Sequence, residues 1–282
     1  DKDADLEFVP FDVSGRLIPE SYEVLLRTRP KLVAFTHKSN ALGTLNDVRT
    51  LVAQAHEVGA LVLVDGAQAV PHLHVDVQEI GADFYVFSGH KVLGPGGSGV
   101  LWARRELLEA MPPFMSGGEM IHSVHLRHST FADIPHKFEA GTPDVAAAIG
   151  LGAAVDYLTA LGMENVAAHE ERLTAYALER LPQEVPGIRM LGPSEPSDRA
   201  GIVTFTLPEA HAHDVATLLD REAIAIRAGH HCAQPLHERL GESATGRASF
   251  SVYSSTDDID RLAAGLRGVQ RIFGRAPATA GA

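Results

Sequence analysis

The chain has 282 residues, 45% of them hydrophobic and 21% charged, ordinary globular proportions that allow one large domain or one large and one small. A net charge of −12 without any dense block of Lys or Arg argues against nucleic acid or an anionic membrane surface as the main partner. No apolar run approaches bilayer length, and the opening DKDADLEF has neither a basic nor an apolar leader region, so a soluble, cytoplasmic protein is expected. That opening lacks an initiator Met and reads as the middle of an α/β protein, which predicts a fragment or a processed chain.

In chain order, Lys31 to Thr36 (KLVAFT) predicts a strand, and Asn46 to Gly59 a helix from its apolar spacing and terminal glycine. Leu61 to Val64 predicts a second strand running into Asp65, and Asp83 to Phe87 a third running into Ser88-Gly89-His90-Lys91. Short, wholly apolar strands alternating with amphipathic helices imply a parallel sheet covered on both faces, whose ligands sit at the carboxyl ends of the strands. Asp65 and Lys91 should therefore line one crevice. Downstream, Asp144 to Leu161 and Asn165 to Leu181 read as long helices broken at Gly162. A smaller α+β unit follows, with strands at Ile188 to Leu191, Ile202 to Thr206, Ile224 to Arg227 and Ala248 to Tyr253. Its helices are expected at His211 to Glu222, Pro235 to Leu240 and Asp257 to Phe273, and residues 276–282 read as a disordered tail.

The polar groups at the strand ends suggest a chemistry. A lysine in a crevice loses its proton readily, and a neutral amine forms a Schiff base with an aldehyde. Asp65 on the neighbouring strand could hold a pyridine nitrogen protonated, which makes a pyridoxal ring an electron sink, and Gln68 could reach the ring hydroxyl. The reading is pyridoxal phosphate (PLP) on Lys91. The lone Cys232, in AIRAGHHCAQP, can form no internal disulfide and stands in a segment too polar for a core strand, so it reads as a usable thiol. The Gly94 to Gly99 run lacks the ending of a Walker loop and reads as a turn into the next strand. The 15 histidines form no recognisable ligand set with Cys or carboxylates, so no metal site is assigned.

The segments VDGAQAV, DFYVFSGHKVLGPGG, FEAGTPD, AIRAGHHCAQP and RASFSVY, in this order from about Lys31 to Gly274, resemble the cysteine desulfurases of the class V aminotransferase family. The short loop RAGHHCAQP is similar to that of the SufS-type (group II) enzymes and selenocysteine lyases. The resemblance implies a PLP-dependent transferase of fold type I, a mainly parallel sheet sandwiched by helices plus a small C-terminal α+β domain. Residues 1–162 would be a partial PLP-binding domain and residues 163–275 the small domain carrying Cys232. Lys91 would bind the cofactor covalently, Asp65 and Gln68 its ring, and Ser88 and His90 its phosphate. Asn40 would lie near cofactor and substrate, and Thr142 would reach the phosphate of the other subunit in a homodimer. Arg247 would hold the substrate carboxylate, with Arg227 nearby. Cys232 would take the sulfur of L-cysteine as a persulfide, leaving L-alanine, and pass it to an acceptor protein for iron–sulfur cluster assembly. The alternatives are a selenocysteine lyase or other β-eliminating lyase of this fold, and a truncated chain kept as a scaffold without catalysis. Family members are longer at the N-terminus by roughly a third. Departures from the family pattern are Lys38 in THKSN, Asp144 after GTP, and Ser254-Ser255 after the final strand.

Overall fold

The computed structural model describes residues 4–199 and 201–274, so the tail expected at 276–282 lies outside the described residues. The first half begins with α1 (Pro19–Leu26), β1 (Leu32–Thr36), α2 (Val48–Glu57), β2 (Leu61–Asp65), α3 (Val77–Ile80) and β3 (Phe84–Ser88). It continues through β4 (Gly99–Ala103), α4 (Arg105–Ala110) and the hairpin β5 (Ile121–Val124) and β6 (Ser129–Phe131). Strands β1, β2 and β3 are parallel neighbours and β4 closes the sheet antiparallel, in the order β1-β2-β3-β4. Thr36, Asp65 and Val86 share one level of the ladder, so the three parallel strands end at one edge.

Covering of that sheet is uneven. Val62, Val64 and Tyr85 are fully enclosed with Tyr22 and Leu26 of α1 and Val48, Val52 and Ala55 of α2. Burying each such side chain contributes about 1.5–3 kcal/mol. Leu32 and Ala34 of β1, and Gly99, Val100 and Leu101 of β4, are instead exposed. The expected burial of both faces therefore fails: β2 encloses Val62 and Val64 on one face only, with Leu61 exposed on the other, and no described element packs over the exposed residues of β1 and β4.

The second half starts with α5 (Val145–Leu161) and α6 (Met163–Glu184), which meet at a 75° bend. Gly162 makes the break with φ +81°, a backbone that a β-carbon would strain, and Asp144 caps α5 by accepting the Ala147 N–H at 3.0 Å. No single helix among the described residues is long and apolar enough to cross a membrane. Next come β7 (Arg189–Leu191), β8 (Ile202–Thr206), α7 (Ala212–Asp220), β9 (Arg227–Gly229), α8 (Gln234–Leu240), β10 (Thr245–Ser249) and α9 (Thr256–Phe273). The sheet order is β7-β8-β10-β9, antiparallel throughout, and its apolar face packs on α6, α7 and α9 around Leu173, Leu181, Phe205, Leu219, Ile259 and Leu266.

Two predicted strands are displaced. The strand expected at Ile224 to Arg227 pairs only from Arg227 to Gly229, since Ile224 and Ile226 are spent on the core before pairing begins. The strand expected at Ala248 to Tyr253 runs from Thr245 to Ser249, and the chain turns at Ser251 with Tyr253 out in solvent. Gly246 lies inside the observed strand. It is a packing glycine, because a β-carbon there would stand 2.9 Å from the Phe205 ring.

Candidate functional site

The parallel ends of β1, β2 and β3 deliver Asn40, Asp65 and Ser88 to one edge, where ligands of such sheets bind. Asp65 Oδ1 accepts the Ala67 N–H at 2.9 Å, an arrangement that fixes the carboxylate while leaving Oδ2 able to accept from another donor. Gly66 is required beside it, since a β-carbon would lie 2.1 Å from the Tyr85 ring. The Tyr85 hydroxyl bonds His37 Nδ1 at 2.9 Å, and burial drives the tyrosine up and holds His37 at about 4. Lys91 follows β3 in a single 3₁₀ turn, Gly89–Val92, half-buried like Gln68 and Ser88, while His90 is exposed.

Asn40 joins this edge to the second sheet. Its Nδ2 donates to the His231 carbonyl, and its own carbonyl accepts from Arg247 Nη1 at 2.5 Å. Arg247 Nε is buried with no partner among the described residues, a donor left for an incoming acceptor. Burial lowers the Arg247 pKa, the Arg227 charge lowers it further, and Cys232 opposes both. Arg227 and Arg247 are direct cross-strand partners on β9 and β10, and Arg227 Nη2 lies 3.2 Å from Cys232 Sγ. Cys232 is exposed. His231 and Cys232 take φ +53° and +61° in succession, a left-handed pair costing about 1–2 kcal/mol per residue that only surrounding bonds can maintain.

Asn40, Arg227, Arg247 and Cys232 are thus brought into one bonded group, with Asp65, Gln68, Ser88 and Lys91 on the adjoining strand ends. Thr142 is apart from them, exposed on a loop whose Gly141 N–H donates to the Gly118 carbonyl at 2.9 Å.

The residues give too little warning of a second, buried cluster. Lys38 is 1% exposed and Glu170 of α6 fully buried, with the Glu170 carboxylate 2.8 Å from His72 Nδ1. Burial lowers Lys38 to about 8, Glu170 opposing and Arg247 reinforcing the shift. Glu170 lies in an apparently polar run, AAHEER, yet Val166, Glu170, Leu173, Ala177 and Leu181 share a helical stripe, the one signal that placed it inward.

An α/β sheet with these groups at its strand ends, beside a small antiparallel sheet, has the architecture of fold type I, the fold of PLP-dependent transferases, and the neighbours in structure are of that fold. The chain belongs to the class-V aminotransferase family, whose model matches residues 1–262. It is 52% identical over 260 residues to a "Probable cysteine desulfurase" of Streptomyces coelicolor, covering 92% of this chain and 62% of the relative. It is 49% identical to a cysteine desulfurase of Pectobacterium atrosepticum, covering 96% and 66%. The apo cysteine desulfurase of Thermococcus onnurineus superimposes with a TM-score of 0.89 at 37% identity, over 96% of this chain and 66% of that one. The Escherichia coli cysteine desulfurase CsdA, in an S-sulfonic acid form, gives 0.86 at 37% identity, over 94% and 65%. The chain spans a little under two thirds of the length of these relatives.

Proposed function

We propose that the protein is a PLP-dependent cysteine desulfurase of the SufS type (group II), acting on L-cysteine and supplying sulfur for iron–sulfur cluster assembly. The observation that carries this reading is the placement of the chain's one cysteine against Arg227, on the loop that Asn40 ties to the strand ends bearing Asp65 and Lys91. Residues 1–162 would form the PLP-binding part and residues 163–275 the part presenting Cys232.

The donors and acceptors present fit PLP. Lys91 offers the amine that would bind it, Asp65 Oδ2 an acceptor for the ring nitrogen, Gln68 a partner for the ring hydroxyl, and Ser88 and His90 hydrogen-bonding groups for the phosphate. Bound there, PLP supplies an electron sink that makes the Cα proton of an amino acid removable. Arg247 binds the substrate carboxylate through its free Nε, assisted by Asn40, which fixes the guanidinium. Lys91 Nζ takes and returns the Cα proton. Cys232 Sγ, as thiolate beside Arg227, attacks the substrate sulfur. The sulfur–Sγ bond forms as the Cβ–S bond breaks, and cysteine plus thiol becomes alanine plus persulfide with no external oxidant or reductant.

A second copy of the chain and an acceptor protein complete the proposal. The Gly118 and Thr142 loops are bonded into one unit flanked by the exposed Phe114, Met115, Val124, Leu126 and Phe131, a face suited to a homodimer in which Thr142 reaches the partner's cofactor. Cys232 is open to an acceptor, and a working free thiol suits the reducing cytoplasm. The test is incubation of the chain with PLP and L-cysteine. Alanine should form and the Cys232 peptide gain one sulfur atom, both lost in Cys232→Ala. Absence of both products from the unaltered chain would refute the reading, and selenide release from selenocysteine that survives Cys232→Ala would favour the lyase.

A further inference from the structure

The loop that carries Cys232 is fastened from below by a chain of polar groups whose hydrogens can be assigned. His237 Nδ1 lies 3.0 Å from the Ala233 carbonyl, which can only accept, so Nδ1 bears the proton. The His237 ring is 1% exposed with no carboxylate bonded to it among the described residues, and a buried cation there would be costly, so its Nε2 is left as an acceptor. That nitrogen is 3.0 Å from Thr245 Oγ1, which therefore spends its single proton on His237. His231 Nε2, 2.8 Å from the same oxygen, must then be the donor, leaving Nδ1 unprotonated; that atom is buried and unpartnered among the described residues. The result is a one-directional relay, His231 to Thr245 to His237 to Ala233.

The relay matters for its endpoints. His231 immediately precedes Cys232 and Ala233 immediately follows it, so both flanks of the thiol are secured to the first residue of β10, two positions from Arg247. We infer that Thr245 is a positioning residue for Cys232, its hydroxyl holding the left-handed His231–Cys232 backbone in the one conformation that sets Sγ against Arg227. This deepens the proposed desulfurase reading, but the placement of the thiol can be measured without turnover.

Cys232 is the only cysteine, so alkylation by iodoacetamide near neutral pH reports it alone. In the full chain Arg227→Gln should slow alkylation about fivefold, by removing the charge beside the thiolate. In a Thr245→Val background the same Arg227 change should alter the rate less than twofold, because the thiol is no longer held there. Thr245→Ser, which keeps the hydroxyl, should restore the fivefold effect. An undiminished fivefold effect in Thr245→Val would overturn the inference, and so would failure of Thr245→Ser to restore it. If Thr245→Val does not fold, histidine nitrogen NMR shifts of the unaltered chain decide. His231 protonated at Nε2 and His237 at Nδ1 support the relay, and any other pair of tautomers overturns it. Loss of desulfurase activity with intact coupling in alkylation would count against the functional reading alone.

Discussion

Lys38 should make the protein more stable as pH rises from about 8 to about 10. Its amine is 1% exposed and Nζ has no hydrogen-bond partner among the described residues. Burial, the largest cause, lowers it from the ordinary 10.5 to about 8. The folded state thus holds this proton less tightly than the unfolded state. Between those two values the unfolded chain binds more protons, so unfolding free energy climbs with pH, and below about pH 8 the full cost of charging the buried amine is present. At about 1.4 kcal/mol per pH unit, the gap from about 8 to 10.5 amounts to about 3 kcal/mol. The assay is urea unfolding of the protein and of Lys38→Met at several pH values from about 7 to about 10. Titrations common to both proteins cancel in the difference. The protein should gain about 2–3 kcal/mol relative to the variant across that range. A flat difference, or one that falls with pH, would refute the assignment of Lys38 as a desolvated amine.

Three further outcomes follow from single contacts. Asp144→Ala removes the cap of α5 and should lower stability by about 1 kcal/mol in urea, whereas Asp144→Asn, which keeps the accepting oxygen, should lose far less. Gly66→Ala drives a methyl into the Tyr85 ring and should cost about 1–3 kcal/mol, seen as a lower urea midpoint; an unchanged midpoint would contradict the packing. Arg227→Gln should slow alkylation of Cys232 less at high salt than at low, because an exposed guanidinium 3.2 Å from Sγ acts by a screened attraction of about 1 kcal/mol.

Much of this was legible in the residues because the sheet strands are short and uniformly apolar and end in polar side chains. Asp65 and Lys91 could be read as neighbours from that rule alone, and their strands match to within a residue or two at each end. The displaced β9 and β10 were harder to read. Where Gly246 serves packing and Ile224 serves the core, composition points to the wrong stretch, and only cross-strand register decides. The hairpin β5–β6 carried no periodic signal in its exposed, histidine-rich sequence. Lys38 stood out as a departure from the family pattern, but its counter-charge Glu170 lies far along the chain on α6, a long-range pairing that local sequence does not encode. The role of Thr245 was equally invisible, since it depends on two histidine rings converging on one hydroxyl.

The central claim is that PLP is held by Lys91 at the parallel strand ends. The most direct measurement is the visible absorption of the purified chain on adding PLP, beside Lys91→Ala. The account predicts a new band in the unaltered chain that is absent from the variant. An equal band in Lys91→Ala, or no band in the unaltered chain, would contradict it.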